Sequence, residues 1–101
     1  MACRVLIAEE ALSALDEAVS YIDGVLFEPA SAVALLDAFA GLIDRISAHP
    51  GMYPLCAEER LASMGIRKAL VQGYVALYVE DSDQAAVIGF FHQSQDYASL
   101  I

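Results

Sequence analysis

Apolar residues recur along this chain with two different periods, and the change of period divides it into a helical first half and an extended second half. Residues 2–7 make a short run of β-favouring side chains, read as a first strand. From Glu9 to about Leu26 the positions Leu12, Leu15, Val19, Ile22 and Leu26 fall three and four apart. Glu10, Ser13, Glu17 and Ser20 take the opposite side, so the spacing predicts an amphipathic helix. Glu9 and Glu10 suit its first turn, where the helix dipole is positive. Pro29 can open the next helix, because the first helical position needs no amide hydrogen. Its stripe runs Ala32, Leu36, Phe39, Ile43 and Ile46, widened by Leu35 and Leu42, and Pro50-Gly51 stops it. Two helices joined so closely predict an antiparallel helical hairpin.

Beyond a loop holding Pro50, Gly51 and Pro54 the alternation becomes that of strands. Runs at 66–71 and 74–80 flank Gln72-Gly73, a two-residue hairpin turn with glycine where φ must be positive. A third run at 85–91 follows the acidic turn 81–84. The resulting order, β-α-α-β-β-β, predicts an α+β fold with the helical hairpin on one face of a small, mainly antiparallel sheet. A two-residue turn pairs Val71 with Tyr74, Ala69 with Ala76 and Arg67 with Tyr78, all on one face. Ile66, Leu70, Val75, Leu77 and Val79 fall on the other, together with Lys68. The bulkier aliphatic set is expected against the helices. Arg67, Tyr74 and Tyr78 are then expected on an open face, either for stacking and phosphate contact or as ordinary packing beneath a partner segment.

At 101 residues the chain holds one domain, 1–101, with room for a single core. Hydrophobic residues make up 58%, a surplus that implies either a dense core or an apolar surface awaiting a partner. No run is long and apolar enough to span a bilayer, since Asp37, Asp44 and Arg45 interrupt the longest one. The first residues do not read as a secretory signal, and Cys3 and Cys56 lack metal-ligand spacing. A cytoplasmic protein with reduced thiols, no metal, no cofactor and no membrane partner is therefore expected. The net charge of −9 opposes nucleic-acid binding by the chain as a whole. Local charge differs: from Arg60 to Val79 there is no Asp or Glu, while Arg60, Arg67 and Lys68 supply three of the five positive charges.

Several segments in order then resemble a known family. Tyr53-Pro54-Leu55, Glu59-Arg60-Leu61-Ala62, Gly65-Ile66-Arg67-Lys68-Ala69-Leu70-Val71, Tyr74-Val75-Ala76-Leu77-Tyr78 and the tail Phe91-His92-Gln93-Ser94-Gln95-Asp96-Tyr97-Ala98 are similar to the carboxy-terminal half of RelE/ParE-superfamily toxins of type II toxin–antitoxin systems, also called plasmid stabilisation proteins. The resemblance extends to Pro29 and the leucine-rich second helix, and so to nearly the whole chain. It implies a bacterial toxin held inactive by a cognate antitoxin. RelE-like members act as mRNA interferases, metal-independent endoribonucleases commonly working on the ribosome. ParE-like members inhibit DNA gyrase, and a degenerate member would retain only antitoxin binding.

On the endoribonuclease reading, 2′-hydroxyl attack on a phosphate needs a base, an acid and cations at the developing charge. The resemblance then implies Arg67 and Lys68 as the charge-stabilising pair, His92 and Tyr97 as proton-transfer groups, and Glu58 or Glu59 as a base in the loop before the sheet. Arg60, Tyr74, Tyr78 and Gln95 would hold substrate. Two positions depart from the ribonuclease pattern: Val75 and Ser94 stand where many such relatives carry arginine. The antitoxin is expected to cover the helices and the open sheet face, mainly by apolar contact with little salt dependence. In its absence the same surface is expected to drive homodimerisation.

Overall fold

The computed structural model describes residues 3–101, so Ala2 of the first expected strand lies outside the described residues. Strand β1 (Arg4–Ile7) leads into helix α1 (Glu9–Gly24), and α2 (Pro29–Ala48) packs back against it. Helix α1 ends two residues early. Glu28 N–H reaches Ile22 O at 3.0 Å across a left-handed Phe27 (φ 54°), a helix ending for which glycine is the usual residue. Leu26 is thereby left outside the helix and largely exposed.

The buried stripes keep most of the expected large residues but take in alanine at Ala11 and leave two expected leucines outside. Ala11 and Leu15 of α1 and Ala32, Leu35, Phe39, Leu42 and Ile46 of α2 are buried, whereas Leu12 and Leu36 are 53% and 44% exposed. The cause lies in the sheet beneath, whose helix-facing surface includes Ala69, Ala76 and Ala85. Small side chains let the helix backbones come close, so alanines on the helices suffice to fill that layer.

A five-residue helix, α3 (Glu59–Ser63), precedes the meander β2 (Arg67–Val71), β3 (Tyr74–Glu80) and β4 (Gln84–His92), and a 3₁₀ turn (Tyr97–Leu100) ends the chain. The sheet order is β1-β4-β3-β2, with β1 parallel to β4 and the other pairs antiparallel. The register of β2 on β3 is the expected one, Val71 with Tyr74, Ala69 with Ala76 and Arg67 with Tyr78. Gln72 (φ 50°) and Gly73 (φ 84°) make its turn, both left-handed as the twist of a two-residue hairpin requires. Between β3 and β4, Leu77 pairs with Gly89 and Tyr78 with Val87, so Ile88 is a bulged residue.

The expected assignment of the two sheet faces is reversed. Ala69, Val71, Ala76 and Tyr78 pack under α1 and α2, with Tyr74 partly buried beside them. Ile66, Val75 and Leu77 lie on the far face, where Leu61 of α3 and Tyr97 of the tail cover them and form a second core, while Leu70 on the same face stays 65% exposed. Alternation tells which residues share a face; it does not tell which layer covers that face. The far cover consists of one short helix and a single turn, too brief for periodicity to announce.

Candidate functional site

The eight residues expected at a site are distributed over three places. The first is the end of the β2–β3 hairpin remote from its turn. Arg67 Nε and Nη2 meet Glu80 Oε1 at 3.1 and 3.0 Å, and Nη1 donates to Tyr53 O at 2.7 Å. Tyr78 is fully buried, its hydroxyl donates to Pro50 O at 2.6 Å, and its ring meets Tyr53 edge-on at 6.2 Å. Arg45 Nε reaches the Tyr53 hydroxyl at 2.9 Å. Together these contacts pin the loop after α2 to the sheet. Arg67 thus lies on the helix side of the sheet, beyond the end of α2, with its charge opposed by Glu80. Neither Tyr53 nor Glu80 was anticipated, although Glu80 is the diagonal neighbour of Arg67 in the expected register, where cross-strand ion pairs form.

The second place is the far face. Lys68 Nζ donates to the Tyr97 hydroxyl at 3.0 Å, and the Tyr97 ring stacks on Phe91 with centroids 6.1 Å apart. Arg60 Nη2 donates to the carbonyl of Ala98, tying α3 to the tail. Glu59 begins α3 and Glu58 caps it, so both expected base candidates belong to a helix start rather than a loop. Cys56 is buried beneath this cover, and burial, followed by the nearby Glu58 charge, pushes its thiol up.

The third place is the turn end of the sheet. Tyr74 stacks on Phe90 at 5.1 Å and meets His92 edge-on at 5.3 Å. The tail folds back here: Gln95 Oε1 accepts from His92 N at 2.8 Å, and His92 Nδ1 accepts from Ser94 N at 3.1 Å. That bond places the proton of a neutral ring on Nε2. Ser94, at the position where ribonuclease relatives carry arginine, thus belongs to a local turn. Val75, the other departure, is buried in the second core.

For phosphodiester cleavage a base, an acid and a cation must lie within hydrogen-bond reach of one phosphate. Here Arg67 pairs with Tyr78 and His92 with Tyr74, four positions apart on β3, or roughly 13 Å at the strand rise. Lys68 and Tyr97 sit on the opposite face. The geometry brings Lys68 to Tyr97 on the far face and Tyr74, His92 and Gln95 together at the turn end of the sheet, and it separates both groups from Arg67.

Two of these groups give the fold an alkaline limit. The bond to the Tyr97 hydroxyl raises the titration of Lys68, and burial raises that of Tyr78. Each folded-state value lies above its unfolded counterpart. Both contributions are therefore complete below about pH 10, the ordinary range of these groups, and are lost as the pH climbs through the raised values. The urea midpoint is expected to hold from neutrality to about pH 9 and to fall above about pH 10. Tyr78→Phe should shallow that fall, which urea titrations across alkaline pH would read.

The family model described as the ParE toxin of the type II toxin-antitoxin system, parDE, matches residues 5–97. Among solved structures, the chain is similar to a chain of the chromosomal ParDE TA system from P. aeruginosa. The TM-score is 0.70 at 13% identity, covering 89% of this chain and 95% of that one, a likeness of fold. No curated protein matches the chain.

Proposed function

This chain belongs to the family of ParE toxins of type II toxin–antitoxin systems, and from that premise we propose that it disables a protein target, DNA gyrase, without cutting RNA. The observation that carries the reading is the employment of its cations. Arg67 is held by Glu80 and Tyr53 O, Lys68 by Tyr97 and Arg60 by the tail, so each sequence-expected RNA contact already has a structural partner. Gathering them at one phosphate would break two covers of the sheet. The net charge of −9 also weighs against a polyanionic substrate and is no obstacle to a protein one. A cognate antitoxin holds the toxin inactive in such a system, and both proteins work in the cytoplasm alongside the target.

Inducing the chain alone in a bacterium tests this. Growth should stop with a DNA-damage response and with messenger RNA of unchanged length, and His92→Ala should arrest growth as the parent does. Messenger RNA cut by the parent chain and left intact by His92→Ala would instead establish the endoribonuclease reading.

A further inference from the structure

Strand β1 pairs with β4 only from Gln84 to Val87, so beyond Val87 the outer edge of β4 has no strand beside it among the described residues. The tail meets it at His92, whose N–H donates to Gln95 Oε1 and whose O accepts from Gln95 N–H, which leaves Ile88–Phe91 as the open stretch. Edges of this kind are templates for another chain unless something blunts them. What adjoins this one is a groove. Its cavities, about 460 Å³ and 370 Å³, share Ala14, Phe90 and Phe91, so they run into each other along one flank of α1. A third, about 550 Å³, continues past Ala14 and Glu17 to Glu9. One wall is α1 and the other is β4 with the end of the tail, Leu100 and Ile101. From Glu10 to Tyr21 the helix runs about 16 Å, and from Ile88 to His92 the strand runs about 13 Å. The two walls are comparable in length.

The charge of the helical wall decides what can lie there. Between Val5 and Asp44 the chain has eight carboxylates and no Lys, Arg or His. Glu9, Glu10 and Glu17 are exposed at the groove, and none of them has an ion-pair partner among the described residues. Nucleic acid and an anionic membrane surface are repelled by such a wall, and a second copy of this chain brings the same charge to it. A basic segment is attracted.

We infer that this groove receives an extended segment of the cognate antitoxin, in which Lys or Arg alternates with apolar residues, added as a strand to the free edge of β4. Side chains of an added strand alternate between two faces. One parity meets Glu10 and Glu17, and the other meets Phe91, Leu100 and Ile101. This rests on the toxin–antitoxin reading above, and it reverses the weak salt dependence expected from the sequence alone.

Two measurements test it. The isotope-labelled full chain is titrated with a blocked ten-residue peptide alternating Lys and Val, beside a control alternating Glu and Val. Amide shifts should fall on Ile88–His92 and along α1 from Glu10 to Tyr21. Affinity should drop by about tenfold or more on raising salt from low to physiological, and by a similar factor in Glu10→Lys/Glu17→Lys, whose melting stays that of the parent. Equal binding of the Glu peptide, no binding of the Lys peptide, or shifts centred elsewhere would overturn the inference. Hydrogen exchange of the toxin with its co-expressed antitoxin is the second arm. Slowed exchange at the Phe90 amide is expected. An antitoxin that relieves growth arrest yet leaves those amides unprotected would sink the groove assignment while the toxin reading stood.

Discussion

Tyr78→Ala is expected to cost about 3–5 kcal/mol of folding stability, the range for deleting a buried aromatic side chain. Tyr78 is completely buried against the helices, and small neighbours such as Ala69 and Ala76 offer nothing that could collapse into the space. The substitution also frees Pro50 O and removes the ring that Tyr53 abuts, so the loop after α2 loses its anchor. Against a total of about 5–15 kcal/mol for a domain, a loss of that size should lower the urea midpoint markedly. Tyr78→Phe keeps the ring and loses one hydrogen bond, for about 1–2 kcal/mol. Urea unfolding followed by circular dichroism separates the two. A Tyr78→Ala protein as stable as the parent would mean that this side chain is a surface contact, as the sequence first suggested.

Tyr97→Ala is expected to cost about 3 kcal/mol and to open the far face of the sheet. Tyr97 is 7% exposed, packs on Phe91 and accepts from Lys68, and no other ring of the tail covers Leu61, Val75 and Leu77. The consequence is readable at Cys56. In a Cys3→Ser background the buried, poorly ionised Cys56 should resist thiol-labelling reagents under native conditions. Adding Tyr97→Ala should raise its labelling rate by about tenfold or more, because local opening of about 1.4 kcal/mol less is a factor of ten in the exposed population. Tyr97→Phe, which keeps the ring and loses the Lys68 bond, should stay close to the parent. Unchanged labelling in Tyr97→Ala would show that the tail does not seal the second core.

Much of the fold was legible because it rests on periodicity and turn chemistry. Pro29 opens α2, Gln72-Gly73 makes the hairpin turn, and the β2–β3 register follows from that turn alone. Three things were not legible. The Phe27 helix ending puts a bulky residue where left-handed backbone usually selects glycine, so no local signal marked the end of α1. Helix α3 is a single turn and a half, shorter than any apolar repeat. The sheet faces are exchanged because a run of bulky aliphatics does not mark the helix side: alanines together with the rings of Tyr78 and Phe90 fill the layer under the helices, and Ile66, Val75 and Leu77 meet the tail instead. The site suffered from that exchange. Arg67 and the tyrosines do share a face, as the pattern implied, but that face is the one the helices cover.

Supercoiling is the most direct measure of whether this toxin works on a protein. Purified chain is added to DNA gyrase with relaxed plasmid, and a messenger transcript is included in the same reaction. The expected result is blocked supercoiling, relieved by the antitoxin, with the transcript at full length. A cut transcript beside unimpaired supercoiling would contradict it.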